Sequence, residues 1–267
     1  MTVGAISFLQ RVSGRNQDVI RVGTSGWQYR DWRGRFYPEG LPQREWLRHF
    51  ATRFPTVEVN NSFYRLPEAS SFERWRDETP QGFAVAVKAS RYITHIRRLR
   101  EAGESVELFW SRARLLRHKL GPVLFQLPPR FPADVGLLSE FLRVLPRGLR
   151  AAFEFRDRSW QTDEAYEALD RAGAAWVIPD RPGSREPVVV TGGWSYLRFH
   201  QGGHGPRGSD YAREKLRRWA HRIAELPAKE TWVYFNNDEG GAAVRDAATL
   251  TELLDRRGLD VARSTAQ

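Results

Sequence analysis

The chain predicts a single TIM-type (β/α)8 barrel, and three observations carry that expectation. Eight short apolar runs recur roughly every thirty residues, segments of helical periodicity separate most of them, and polar or charged residues gather at the C-terminal ends of the runs. The length of 267 residues suits one barrel, which typically takes about 250. An open doubly wound sheet is the competing architecture. It is disfavoured because neither G-x-G-x-x-G nor G-x-x-x-x-G-K-[ST] occurs, and Gly23-Thr24-Ser25-Gly26 matches neither.

Strands are expected near 20–25, 56–61, 83–88, 122–127, 151–156, 175–180, 194–200 and 231–236. Strand side chains alternate between faces, so Glu58 and Asn60 share one, as do Glu154 with Arg156 and Arg198 with His200, while the large apolar residues take the other. A strand buried on both faces should be apolar throughout. Charges confined to the C-terminal ends therefore point to the mouth of a barrel, where ligands and catalytic groups gather.

Helices are expected at 43–53, 105–120, 134–145, 162–172, 210–225 and 241–256. The second places Val106, Phe109, Trp110, Ala113, Leu116 and Leu120 on one stripe, with Gly121 as its stop; Gly173 and Gly258 read as further stops. Ser70 and Glu73 fit a capping box ahead of Trp75. Residues 181–193 hold two prolines and three glycines, so a loop replaces the helix between strands six and seven. The domain is expected over 19–258, after a variable N-terminal extension (1–18) and before a C-terminal tail (259–267).

Cysteine is absent, which excludes disulfides, thiolate catalysis and Cys-ligated metal sites, and a cytoplasmic protein fits best. The patch Ala5-Ile6-Ser7-Phe8-Leu9 has no basic residue before it and does not read as a signal peptide; no run is long enough to span a membrane, so no membrane partner is expected. The net charge of +10 favours anionic partners. Residues 91–119 concentrate eight basic against three acidic side chains, among them Arg97, Arg98, Arg100, Arg112, Arg114, Arg117 and Lys119, a run that ordinarily forms a solvated face. Oligomeric state is not encoded in these patterns.

The strand ends assemble a candidate site. Glu58, Glu154 and His200 are the candidate acid and base groups, since two carboxylates and an imidazole in one cluster can be tuned apart in pKa. Lys88, Arg156 and Arg198 could clamp a phosphate or carboxylate. Asn60, Gln126, Asp180, Tyr234, Asn236 and Asn237 complete the rim, and Trp27, Tyr64 and Trp160 are candidate wall residues, with Tyr92 alongside. The competing reading is a structural ion network inside the barrel. No cofactor is expected; a divalent metal on Glu58, Glu154, Asp180 and His200 is a lesser alternative, since three interleaved cations already neutralise the acids. The loop 27–37 interleaves Trp27, Tyr29, Trp32, Phe36 and Tyr37 with Arg30, Arg33 and Arg35, rings that could stack on a base or cover the core. His95 lies within reach of the rim in a loop where a lone histidine is ordinarily incidental, and the Gly-rich stretch 201–205 reads as a mobile loop over the site.

Seven segments together resemble the YecE-like family, the domain of unknown function 72. They are 22–27 (VGTSGW), 57–67 (VEVNNSFYRLP), 87–95 (VKASRYITH), 125–129 (FQLPP), 153–156 (FEFR) with Ser159-Trp160, 196–200 (YLRFH) and 234–238 (YFNND), spread over about 20–256. Gln201 stands where the family more often shows Gly. The resemblance implies a TIM-type barrel with a polar cluster at the strand C-termini and implies no established reaction.

The function expected is an enzyme acting on a small anionic substrate, phosphorylated or sugar-like, by acid/base chemistry of a hydrolase or isomerase type. The alternative is a nucleic-acid-binding or nucleic-acid-processing protein that uses the basic region 91–119 and the aromatic loop 27–37, and a non-catalytic ligand-binding barrel is a third reading.

Overall fold

A computed structural model of the protein describes residues 19–182, 187–203 and 209–265. Eight parallel strands close in sequence order: β1 Val19–Ser25, β2 Thr56–Val59, β3 Ala84–Lys88, β4 Leu120–Gln126, β5 Ala151–Glu154, β6 Ala175–Asp180, β7 Ser195–Phe199 and β8 Glu230–Phe235, with β8 pairing back onto β1. The helices are α1 Trp46–Ala51, α2 Asn61–Tyr64, α3 Ala69–Asp77, α4 Gly103–Ala113, α5 Val135–Val144, α6 Asp163–Arg171, α7 Arg213–Ala224 and α8 Ala242–Asp255. Among the described residues no helix separates β6 from β7. Thr191 holds the connection instead, its hydroxyl donating to the Ala174 carbonyl and accepting from the Trp176 amide. No helix among the described residues is long and apolar enough to cross a membrane.

The two faces of the strands build two cores. Outward-facing Val22, Val57, Val87, Phe125, Phe153, Leu197 and Phe235 pack under the helices in the larger one. The lumen is filled unevenly: Ala84, Ala86, Ala152 and Ala175 leave room that Trp194, Tyr196, Trp232 and Tyr234 occupy from the other side. Such pairing of large with small side chains fills a barrel to interior density. Below them Glu230 takes Arg21 and Arg150, each at 2.5 Å. The guanidinium of Arg21 lies over Trp232 at 4.8 Å and that of Arg150 over Trp194 at 4.5 Å. This stack closes the N-terminal end, so access to the lumen belongs to the C-terminal end.

Two local expectations are corrected. The chain does not stop at Gly121: α4 ends at Ala113, a 3-10 stretch runs over Arg114–Lys119, and Arg117 makes the turn at φ 54°. Gly121 lies inside β4, where a Cβ would sit 3.3 Å from the Trp232 ring and 3.2 Å from the Ala86 amide. Lumen packing leaves little room for a side chain there. Ser70 and Glu73 form no capping box, because α3 already begins at Ala69 and Ser70 falls within its first turn. Residues 259–265 lie against the barrel, with Ala262 donating to the Ile20 carbonyl and Ser264 to that of Ala51.

Gly23 is the tightest point of the wall, since a Cβ there would lie 2.1 Å from the Thr56 carbonyl oxygen. Backbone cannot step aside as a side chain can. Gly23→Ala is therefore expected to lower stability by about 2–3 kcal/mol through overpacking. Urea unfolding checks this, and an unchanged midpoint would show that β1 and β2 separate freely.

Candidate functional site at the C-terminal rim

The register of the closed barrel brings the polar strand ends to one height. Ser25 pairs with Glu58 and Gln126 with Glu154 across neighbouring strands. The ladder continues past the strand ends, where the His200 amide donates to the Asp180 carbonyl and the Asn236 amide to that of Phe199. His200 and Asn236 are thus held by backbone as firmly as strand residues, and on the same parity as Arg198 and Tyr234.

The lower layer is a closed charge network. Arg198 bridges both carboxylates, Nη2 donating to Glu58 Oε1 at 2.8 Å and Nη1 to Glu154 Oε2 at 2.6 Å. Glu58 also accepts from the Ser25 hydroxyl on Oε1 and from the Tyr196 hydroxyl on Oε2, each at 2.6 Å. Both glutamates are fully buried and Arg198 is 2% exposed. Burial alone would push the carboxyl pKa values up, but the Arg198 charge and the converging donors outweigh it, so Glu58 is held below its ordinary value and Glu154 well below. Arg198 is held cationic by the same two partners against its own desolvation.

The upper layer is only partly buried. Glu154 Oε1 accepts from Gln126 Nε2 at 3.0 Å and stands 2.7 Å from Arg156 Nε and 3.5 Å from His200 Nε2. Gln126 in turn accepts from Lys88 Nζ at 2.6 Å. The ammonium of Lys88 lies over the Phe63 ring at 4.1 Å and has no carboxylate contact among the described residues. Burial and the nearby Arg198 lower its pKa to about 8. His200 is shifted down by burial against the pull of Glu154. Its Nδ1 faces the Asn236 amide nitrogen at 3.4 Å, an arrangement that suits the tautomer with its proton on Nε2, toward Glu154. Asn60 Oδ1 is buried without a hydrogen-bond partner.

The rim thus gathers Glu58, Asn60, Lys88, Gln126, Glu154, Arg156, Arg198, His200 and Asn236. Other expected members lie elsewhere. Tyr234 belongs to the layer below, its buried hydroxyl 2.7 Å from that of Thr56. Trp160 is fully buried and donates to the Phe131 carbonyl, and Trp27 packs edge-on against Trp75 outside the lumen. Asn237 turns away to the Ser209 carbonyl and Asp246. Asp180 pairs with Lys215 at 2.6 Å, and Tyr64 stands 81% exposed beyond the rim. These departures have separate causes: Asp180 and Asn237 carry the outward parity of their strands, Tyr234 lies one layer down, and the rings of Trp27 and Trp160 pack as core.

The wider surface expectations divide in the same way. In the 27–37 loop Trp27, Trp32 and Tyr37 are buried, with Tyr37 stacked on Trp46, so these rings cover the core and present no stacking platform. In 91–119 Lys119 is buried on the carbonyls of Arg76 and Thr79, whereas Arg91, Arg97, Arg98, Arg100, Arg114 and Arg117 are exposed. Within the Gly-rich stretch the described residues 201–203 are tied to 209–211, Gly202 donating to the Ser209 carbonyl; positions 204 and 205 lie outside the described residues. Among the described residues no three His, Asp or Glu side chains converge as metal ligands, because Arg198 separates the glutamates and Lys215 holds Asp180.

Two donors at the rim escape a reading of charges. Ser25 and Tyr196 supply two of the three side-chain donors to Glu58, and both sit on the inward parity of their strands. His95 packs against Phe63 beside Lys88, and burial with the Lys88 charge depresses its pKa to about 4.

A family model described as protein of unknown function DUF72 matches residues 21–267. The chain belongs to the DUF72 family. UPF0759 protein YunF of Bacillus subtilis is 29% identical over 272 residues, covering 89% of this chain and 95% of its own. UPF0759 protein YecE of Escherichia coli K12 is 32% identical over 128 residues, 44% of this chain and 47% of its own. The crystal structure of a DUF72 family protein from Thermotoga maritima superposes with a TM-score of 0.79 at 29% identity, covering 89% of this chain and 99% of the other.

The buried triad of this DUF72 barrel makes a signed prediction. Carboxyls depressed below their ordinary value of 4.5 contribute stability that is present above that value and lost as pH falls through the folded values. Arg198→Met strands two buried carboxylates, an expected loss of about 3–5 kcal/mol at neutral pH. Burial then dominates, the carboxyl pKa values rise, and the variant should recover stability on acidification while the parent does not. Denaturant unfolding at about pH 7 and about pH 5 should show the variant gaining stability at the lower pH while the parent changes little; a variant as flat as the parent would remove Arg198 as the partner that keeps the glutamates ionised.

Proposed function

We propose that the protein is an enzyme that binds a small anionic substrate at the rim and acts on it by proton transfer. The supporting observation is the division of charge: two carboxylates face three cations, Arg198, Arg156 and Lys88, so the cluster carries one cation in excess, and Arg156 and Lys88 are the two that face the open layer. Arg156, with its side chain 26% exposed, is the anion contact, since a planar guanidinium suits phosphate and carboxylate oxygens.

Within this reading Glu58 and Glu154 are positioning groups. A fully buried carboxylate held below its ordinary pKa is a weak base, and Glu154 instead orients Arg156 and His200. His200 is the acid/base residue, neutral at physiological pH with Nδ1 available once Asn236 moves aside. The buried Asn60 carbonyl oxygen is free to accept from a substrate hydroxyl. The nucleic-acid alternative loses its stacking loop, because the 27–37 rings are largely buried.

Thermal unfolding against a panel of small phosphate esters and carboxylates tests the reading. A bound anion at a hundred times its dissociation constant should add about 2.7 kcal/mol of stability. Arg156→Ala should abolish the shift, whereas His200→Asn should keep it and lose turnover of the ester that binds. If no anion raises the melting temperature of the parent protein, the site is not an anion site.

A further inference from the structure

Lys88 stands apart from the other lysines of the chain. Lys119 donates to two backbone carbonyls in a buried cleft, Lys215 pairs with Asp180, and Lys229 is exposed beside the start of β8, at the closed end of the barrel. Lys88 alone is held at the open rim by a neutral amide oxygen and an aromatic face. A cation seated there without a carboxylate contact, close to Arg198 and Arg156, is poorly supported as a cation. The Gln126 oxygen orients the nitrogen without neutralising it, and Gln126 is fixed in turn by Glu154.

We propose that Lys88 is a nucleophilic amine that forms a Schiff base with a small carbonyl compound bearing an anionic group, the anion resting on Arg156. The inference rests on the anionic-substrate reading above and names its substrate class. The nitrogen lone pair adds to the carbonyl carbon, forming a C–N bond, and one N–H proton passes to the former carbonyl oxygen to give a carbinolamine. That hydroxyl takes a proton from solvent at the open rim and leaves as water, giving the protonated imine. Nothing is oxidised or reduced. The imine then serves as the electron sink for proton abstraction or bond cleavage at the adjacent carbon.

Burial is the first cause that disfavours the protonated form of Lys88; Arg198 and Arg156 add to it, Glu58 and Glu154 oppose it, and His95 packs alongside on Phe63, leaving the amine near 8. A substantial neutral fraction is therefore present in mildly alkaline solution, whereas an ordinary lysine at 10.5 has little.

Reductive trapping tests this directly. The intact protein is treated with glyoxylate, the smallest anionic aldehyde, and cyanoborohydride, and carboxymethylated lysines are located by peptide mass mapping. Lys88 is expected to label at least about tenfold faster than exposed Lys229, with inorganic phosphate suppressing the Lys88 signal only. The rate at Lys88 should inflect near pH 8, and Lys88→Arg should lose the fast label while folding normally by circular dichroism. Labelling of Lys88 no faster than Lys229 overturns the proposal. Should anions still stabilise the protein in that case, the anion site stands and the amine's role alone falls; fast labelling that phosphate neither slows nor accompanies with a thermal shift overturns the anion reading and the substrate class built on it.

Discussion

Arg198 holds the mouth of the barrel together. Two carboxylates lie in a lumen that water does not reach, and each alone would have to take up a proton or cost several kcal/mol. One guanidinium between them makes both ionised states compatible with burial. The three residues come from β2, β5 and β7, which are not neighbours in the sheet, so the contact ties the wall across its diameter as well as balancing charge. Barrel closure and site electrostatics are one interaction.

The uneven filling below serves the same end. Aromatic residues on β7 and β8 reach across to alanines on β3, β5 and β6 and bring hydroxyls to the floor of the charged layer. Tyr196 ends on Glu58 and Tyr234 on Thr56, so the apolar plug terminates in polar atoms where the charged layer begins. A Phe at 196 would fill the same volume and leave Glu58 Oε2 without a donor. The hydroxyl has a reason to be there beyond packing.

Much of this arrangement was legible in strand alternation. Period two is obligatory in a strand, so the pairs Glu58 with Asn60, Glu154 with Arg156, and Arg198 with His200 could be assigned to one face before any contact was known. Alternation persists one step beyond the strand, which is why Asn236 reaches the rim and Asn237, on the outward parity, turns to Asp246. It is also silent on depth: Tyr234 has the right parity but sits one layer too low. Ser25 and Tyr196 were missed for a different reason, since a lone hydroxyl on a strand reads as ordinary composition until its acceptor is known. The aromatic loop misled because ring content does not say which side of the backbone a ring takes, and Trp27, Trp32 and Tyr37 take the inner side.

The two layers divide the chemistry between them. Glu58, Glu154 and Arg198 are displaced from neutrality in the directions that fix their charges, so none of them changes state near physiological pH. The groups above them are displaced the other way, His95 and His200 toward the neutral imidazole and Lys88 toward the neutral amine. Burial drives each of these shifts, and the fixed layer modulates it, Arg198 disfavouring charge on Lys88 and His200 while Glu154 favours it. A permanent charge triad beside proton-poor nitrogens is an arrangement suited to nucleophilic and basic catalysis, because the lone pairs are already available when a substrate arrives.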